Sequence, residues 1–194
     1  MLSLQKKGCH NINFVSPSHY VPQIVEAVGL AVKDGLSLPL VYNTGGYDEV
    51  DTLKLLKGIM DIYMPDIKFG DNIKAKKYTK SANYFDVARE SVKEMYRQVG
   101  NLKIDDRHIA YKGLIIRHLV MPDNLSDTDK VLDFIAEEIS KDTFVNIMSQ
   151  YYPAHKAFTF PELSRRISRK EFNEAVKYAE KLGLVNLITS STFI

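Results

Sequence analysis

The sequence predicts an α/β fold made of parallel strands, a partial (β/α) barrel, and three observations lead there. Short apolar runs alternate in strict order with segments whose apolar residues recur at helical spacing, a pattern that implies parallel strands joined by right-handed crossovers. Three of these runs close on polar groups, at Asn43-Thr44-Gly45-Gly46, at Met64-Pro65-Asp66-Ile67-Lys68 and at Arg117-His118-Leu119-Val120-Met121-Pro122, and each leads into a helix. Polar residues placed repeatedly at strand C-termini are how an α/β enzyme assembles a site, because sequential loops converge on one rim. The length of 194 residues suits one domain spanning 1–194, and it falls short of the roughly 250 residues that eight-fold closure takes.

The elements follow in order. Leu2, Leu4 and Lys6-Lys7-Gly8 read as the last turns of a helix. Asn11–Val15 is a short strand, and Pro22 opens a helix whose Ile24, Val25, Ala27, Val28 and Ala31 form an apolar stripe ending at Gly35. Leu38–Tyr42 is the next strand. A helix from about Asp48 to Lys57 turns Val50, Leu53 and Leu56 inward, and Met60–Met64 is a third strand. Asp71–Ser81 reads as a short helix with a loop, and Phe85–Val99 as a longer helix stopped by Gly100. Asn101–Lys112 is an excursion, a small hairpin or an irregular loop, before the strand Leu114–Val120. Ser126 and Asp129 have the spacing of a capping box ahead of Val131, Leu132, Ile135 and Ile139, and Ser168 and Glu171 form a second ahead of Phe172, Ala175, Val176, Ala179 and Leu182. Between these two helices lies the strand Thr143–Met148. Gly183 occupies the position of a left-handed C-terminal cap, and Val185–Ile188 adds an edge strand.

Composition excludes several classes. With 45% hydrophobic and 26% charged residues the chain is globular, and 26 basic against 24 acidic side chains give a net charge of +2, which steers no particular partner. The basic clusters Lys74, Lys76, Lys77, Lys80 and Arg165, Arg166, Arg169, Lys170 lie on or beside helices, where a solvated charged face is the ordinary explanation; no nucleic-acid partner is expected. No apolar run reaches the roughly 18 residues of a membrane span, and no signal-peptide apolar region follows Met1. These features predict a soluble, cytoplasmic protein with no membrane partner, whose thiol stays reduced. Cys9 is the single cysteine, too few thiolates for an iron–sulfur cluster, and the five histidines lack metal-ligand spacing. No metal is assigned to this chain.

Side chains alternate along a strand, so Met64, Asp66 and Lys68 share one face while Pro65 and Ile67 take the other. A carboxylate and an ammonium within reach of one ligand form a polar clamp, although a structural ion pair under a loop has the same residues. Asn43-Thr44-Gly45-Gly46 offers hydroxyl and amide groups beside glycines that admit a ligand close to the backbone. A plain turn also reads this way. Arg117 and His118 are neighbours and face opposite sides, so only one of them enters a site; Arg117, with its planar fork of donors, suits a carboxylate and is the favoured candidate, and packing under a helix is the plainer reading of His118. Ser16-Pro17-Ser18-His19-Tyr20 and Gln150-Tyr151-Tyr152-Pro153-Ala154-His155 end two further strands on the same rim.

Taken as an ordered set, Asn-Thr-Gly-Gly, Met-Pro-Asp-Ile-Lys, Arg-His-Leu-Val-Met-Pro and Asn-Ile-Met-Ser-Gln-Tyr-Tyr-Pro-Ala-His resemble the radical S-adenosylmethionine (SAM) enzymes. The nearest branch is the one similar to pyruvate formate-lyase-activating enzyme. The resemblance implies a partial (β/α)6 barrel in which a 4Fe-4S cluster binds SAM and cleaves it reductively to a 5'-deoxyadenosyl radical. That radical takes hydrogen from a substrate, for activating enzymes a glycine of a partner protein. It also implies that Asn43, Thr44, Asp66, Lys68 and Arg117 contact the methionine and ribose portions of SAM. The sequence departs from the family in three places. The Cys-x-x-x-Cys-x-x-Cys loop does not occur in the chain. The usual Gly-Gly-Glu-Pro is represented only by Val15-Ser16-Pro17-Ser18-His19, and the usual Asp before Thr-Gly is Asn43. The expectation is a fragment whose cluster loop and first βα unit lie outside it, inactive alone, with an exposed parallel strand edge that invites self-association. Two other readings stay open, an aldolase-like barrel with Lys68 as Schiff-base nucleophile and a non-catalytic ligand-binding domain.

Overall fold

The computed structural model describes residues 1–190. Strands and helices alternate as the sequence predicts, in an α/β fold. The hydrogen-bonded strand order is β1 (Ile12–Val15), β2 (Leu40–Thr44), β3 (Ile62–Ile67), β5 (Ala110–Leu119), β6 (Phe144–Met148) and β7 (Leu187–Ser190), with β4 (Lys103–Ile104) paired to β5 alone. By contact density the chain divides into two compact units, Met1–Pro65 with Glu90–Ile115, and Asp66–Arg89 with Ile116–Ile194. Among the described residues no helix is long and apolar enough to cross a membrane.

In the first unit β1, β2 and β3 are parallel, with Phe14 opposite Tyr42 and Asn43 opposite Met64. All five residues of β2 are buried, as expected of a parallel strand covered on both faces. The opening turns, α1 (Leu2–Lys6), are held by Gln5, whose amide donates to the Gly35 carbonyl at 2.9 Å and accepts the Ser37 N–H at 2.8 Å. Helix α2 (Val21–Lys33) buries Val21, Val28 and Ala31. It ends in a Schellman motif: the Gly35 N–H donates to Val32 O and the Leu36 N–H to Ala31 O, with Gly35 at φ +89°. Helix α3 (Val50–Leu55) is shorter than expected, yet Leu53 and Leu56 are fully buried. The excursion before β5 is a hairpin, β4 running antiparallel to β5. Gly113 has φ +120°, and a Cβ there would stand 2.4 Å from Asn101 O, so only glycine fits.

In the second unit Asp71 caps α4 (Asn72–Thr79), its side chain accepting the Ile73 and Lys74 N–H groups. Helix α5 (Tyr84–Val99) is as long as predicted and is shared by the two units, its buried Ala88 belonging to the second and its buried Val92 and Met95 to the first. Helix α6 (Thr128–Phe134) continues as a π-turn over Ile135–Ile139. Its start corrects the sequence expectation. The N-cap is Asp127 in the left-handed region at φ 48°, without a side-chain cap bond, so Ser126 and Asp129 form no capping box. Ser126 is instead fully buried, its hydroxyl accepting the Met121 N–H at 3.3 Å, and Asn124 Oδ1 accepts the Thr128 N–H at 2.8 Å. The box at Ser168 and Glu171 is present at the start of α7 (Arg169–Lys181), and Gly183 closes that helix in a second Schellman motif at φ +82°. Strand β7 lies parallel to β6. The basic clusters are partly neutralised, Lys74 pairing with Asp127 at 2.8 Å, Lys77 with Glu162 at 2.5 Å and Arg165 with Glu171 at 2.7 Å.

Candidate functional site

Strand β3 runs on to Ile67, so the Met-Pro-Asp-Ile segment is itself strand and its side chains alternate. Asp66 and Lys68 therefore lie on one side and buried Ile67 on the other. In the second unit the Asp66 carboxylate binds two cations, one on each oxygen. Lys68 Nζ donates to Oδ2 at 2.5 Å, and Arg117 Nε, from β5, donates to Oδ1 at 2.6 Å. The Asp66 side chain is 13% exposed, against 25% for Arg117 and 38% for Lys68. Tyr84 fixes the strand end, its hydroxyl accepting the Lys68 N–H at 2.9 Å and donating to the Asp66 carbonyl at 3.2 Å. The three charged groups line an open cleft of about 340 Å³. Its other walls are Leu119 and Met148 from β5 and β6 and the Gln150-Tyr151-Tyr152 segment beyond β6. Two cations against one carboxylate leave the lining with one excess positive charge. Such a cleft attracts a ligand that carries a carboxylate or phosphate beside an apolar or aromatic body.

His118, one residue from Arg117, is turned the other way and is fully buried. Its Nδ1 lies 2.7 Å from Ile67 O and its Nε2 2.8 Å from Thr128 Oγ1. A carbonyl only accepts, so Nδ1 carries the proton and Nε2 accepts the Thr128 hydroxyl. Burial pushes the imidazole down to about 4, partly opposed by the bond to Ile67. The ring is therefore neutral at physiological pH and ties β5 to the start of α6.

The first unit holds a second carboxylate node, and the sequence reading passed over it. Asp48 is 3% exposed and accepts three hydroxyl hydrogen bonds, from Ser18 at 2.5 Å, Tyr42 at 3.0 Å and Thr44 at 2.5 Å. Thr44 is itself 3% exposed. Its hydroxyl proton is directed to Asp48, and its oxygen accepts the Gly46 N–H at 3.3 Å. Ser91 in turn donates to the Gly46 carbonyl at 2.9 Å. Asn43 is 9% exposed, and its carbonyl accepts the Ser16 N–H at 2.8 Å. Burial, reinforced by the neighbouring carboxylate, pushes the Tyr42 phenol well above its ordinary value, so Tyr42 remains a donor. The Asn-Thr-Gly-Gly turn is thus held internally by Asp48. An acid four residues beyond Thr44 was visible in the sequence, but Ser18 and Tyr42 reach it only through the fold. Of the residues singled out earlier, Asp66, Lys68 and Arg117 lie together in the second unit, and Asn43 and Thr44 belong to the first.

Among the described residues no group of three or more His, Cys, Asp or Glu side chains could hold a metal ion, and Cys9 is the sequence's single thiol. The chain's own residues do not fit a 4Fe-4S cluster. Lys68, ion-paired and 38% exposed, also lacks the desolvated apolar surroundings that activate a Schiff-base lysine.

No protein-family profile matches the chain. It is 35% identical over 177 residues to uncharacterized protein MJ0674 of Methanocaldococcus jannaschii, covering 90% of this chain and 47% of that protein. The chain thus spans about half the length of this curated relative. Its structure is similar to that of a domain of pyruvate-formate lyase-activating enzyme from Bacteroides vulgatus, with a TM-score of 0.65 over 94% of this chain and 100% of that domain. The two share 9% sequence identity, so the likeness is one of fold. The α/β fold of parallel strands and helices expected from the sequence is the fold observed.

Proposed function

We propose that the chain is the SAM-binding part of a radical-SAM-type enzyme resembling the pyruvate formate-lyase-activating enzymes, with its cluster ligands supplied outside these 194 residues. One observation carries the reading: Asp66 draws Lys68 and Arg117, from the ends of two different strands, onto one cleft. SAM carries a carboxylate, an ammonium group and ribose hydroxyls. The fork of Arg117 and the ammonium of Lys68 suit the carboxylate, and Asp66 suits the ammonium or the hydroxyls. The walls formed by Leu119, Met148 and Tyr152 suit the less polar remainder of the ligand.

Radical formation from SAM, and hydrogen abstraction from a protein substrate of the glycyl-radical type, belong in this reading to a longer parent protein. The chain alone is expected to bind the ligand without turning it over. We assign the protein to the cytoplasm, where Cys9 stays reduced. The test is calorimetric titration of the chain with SAM and S-adenosylhomocysteine. Both are expected to bind, and Arg117→Ala is expected to weaken them roughly tenfold, a loss of about 1.4 kcal/mol. No binding of either compound, or equal binding by the variant, would overturn the reading.

A further inference from the structure

We propose that the trench between α2 and the turn after α3 is a binding site for a small aliphatic carboxylate, a short free fatty acid. The trench lies wholly within the first unit and has a volume of about 620 Å³. It exists because α3 stops at Leu55 and the chain returns to β3 through Gly58 and Ile59, leaving the neighbouring side of α2 uncovered. Buried Val28, Leu36 and Leu40 and the more open Val25, Val32 and Ile59 line it.

Gly29 marks the space as a vacancy in the wall. It sits inside α2 on the trench lining, where glycine is a poorer helix former than alanine. A Cβ built at Gly29 meets no atom within 4 Å, and its φ lies outside the left-handed region. Neither backbone conformation nor close packing therefore requires this glycine. A side chain there would fill the trench, so the residue's effect is to leave it open.

The walls select the ligand. Their apolar part is entirely aliphatic, and Val, Leu and Ile side chains offer neither a hydrogen bond nor a flat ring, so they suit a flexible hydrocarbon chain. The two charged residues of the lining differ in availability. Asp61 Oδ2 accepts the Leu40 N–H at 2.9 Å and is engaged by the backbone. Lys33, in the last turn of α2, is exposed, and its ammonium has no partner among the described residues. An ammonium at the edge of a hydrocarbon trench takes an anionic head group, and one such cation matches a single negative charge, a carboxylate.

The test follows backbone amide resonances of the isotope-labelled chain during titration with octanoate, butyrate and octylamine. Octanoate is expected to shift residues 28–40 and 58–61 saturably. It is expected to bind roughly tenfold or more tightly than butyrate, because four more methylene groups leave water, and more tightly than octylamine. Gly29→Leu puts a better helix former into the vacancy and is expected to weaken octanoate roughly tenfold or more, with a thermal melt confirming that the variant folds. Lys33→Gln is expected to remove the preference for octanoate over octylamine. Octanoate that leaves both segments unmoved, binds Gly29→Leu as tightly as wild type, or binds no better than octylamine overturns the proposal. Loss of a dimer in Gly29→Leu, with octanoate unbound by wild type, would overturn it in favour of a contact between two copies of the chain.

Discussion

Asp48 and Asp66 each gather partners near the end of a parallel strand, and they do so in opposite ways. Asp48, in the first unit, is buried and surrounded by neutral hydroxyls whose protons all point at it. Asp66, in the second, is partly open and carries two cations, each with a side chain substantially in contact with solvent. A buried carboxylate satisfied by neutral donors is an internal brace, since its worth lies in bonds that would be expensive to leave unmade. A partly open carboxylate with two cations contributes little stability, because solvent screens each pair, and it holds the two cations side by side at the cleft where the proposed ligand would enter. Two carboxylates near strand ends thus sit in opposite environments, one buried among hydroxyls and one partly open among cations.

The largest expected effect falls on the brace. Asp48→Ala leaves the Ser18, Tyr42 and Thr44 hydroxyls without their acceptor, and we expect a loss of about 3 kcal/mol. For a chain of this length that corresponds to a fall in melting temperature of roughly 6–12 °C, read by calorimetry. An unchanged melting temperature would place Asp48 on the same footing as Asp66.

His118 extends the contrast between buried and open groups to adjacent residues of one strand. Its folded value, about 4, lies below its ordinary 6.5, so the unfolded chain takes up the proton first as pH falls. The stabilising contribution is complete above pH 6.5 and is lost between pH 6.5 and 4, a change on the order of 3 kcal/mol. Urea denaturation across this range should show wild type losing stability more steeply than His118→Gln. Parallel curves would mean that the imidazole is not held neutral.

Smaller effects sharpen the comparison. Tyr42→Phe removes one of the three donors to Asp48 and should cost about 1 kcal/mol in chemical denaturation. Asp66→Asn should change stability by less than about 1 kcal/mol while weakening binding of S-adenosylhomocysteine. A destabilisation as large as that of Asp48→Ala would make Asp66 a structural ion-pair centre instead of a ligand clamp.

Much of this arrangement was legible in the sequence because it is local. Helix periods, the box at Ser168 and Glu171, the glycine stop at Gly183 and the alternation that sets Arg117 opposite His118 all depend on residues a few positions apart. The box read at Ser126 and Asp129 failed because the short turn after Pro122 places Asp123, Asn124 and Asp127 in the left-handed region. That turn carries the helix start past Ser126 and buries its hydroxyl. The Asp48 node was missed for a different reason. Ser18 lies 30 residues from Asp48, and only the pairing of β1 with β2 brings the two strand ends together. Tyr152 was visible as part of a polar rim, but its exposure and its contact with Arg166 follow from the path of the segment beyond β6.

The most direct test is to follow backbone amide resonances of the isotope-labelled chain during titration with S-adenosylhomocysteine. The account predicts that the shifts which saturate with ligand include residues 66–68, 117–119 and 150–152. Saturable shifts that leave all three segments unmoved would contradict it.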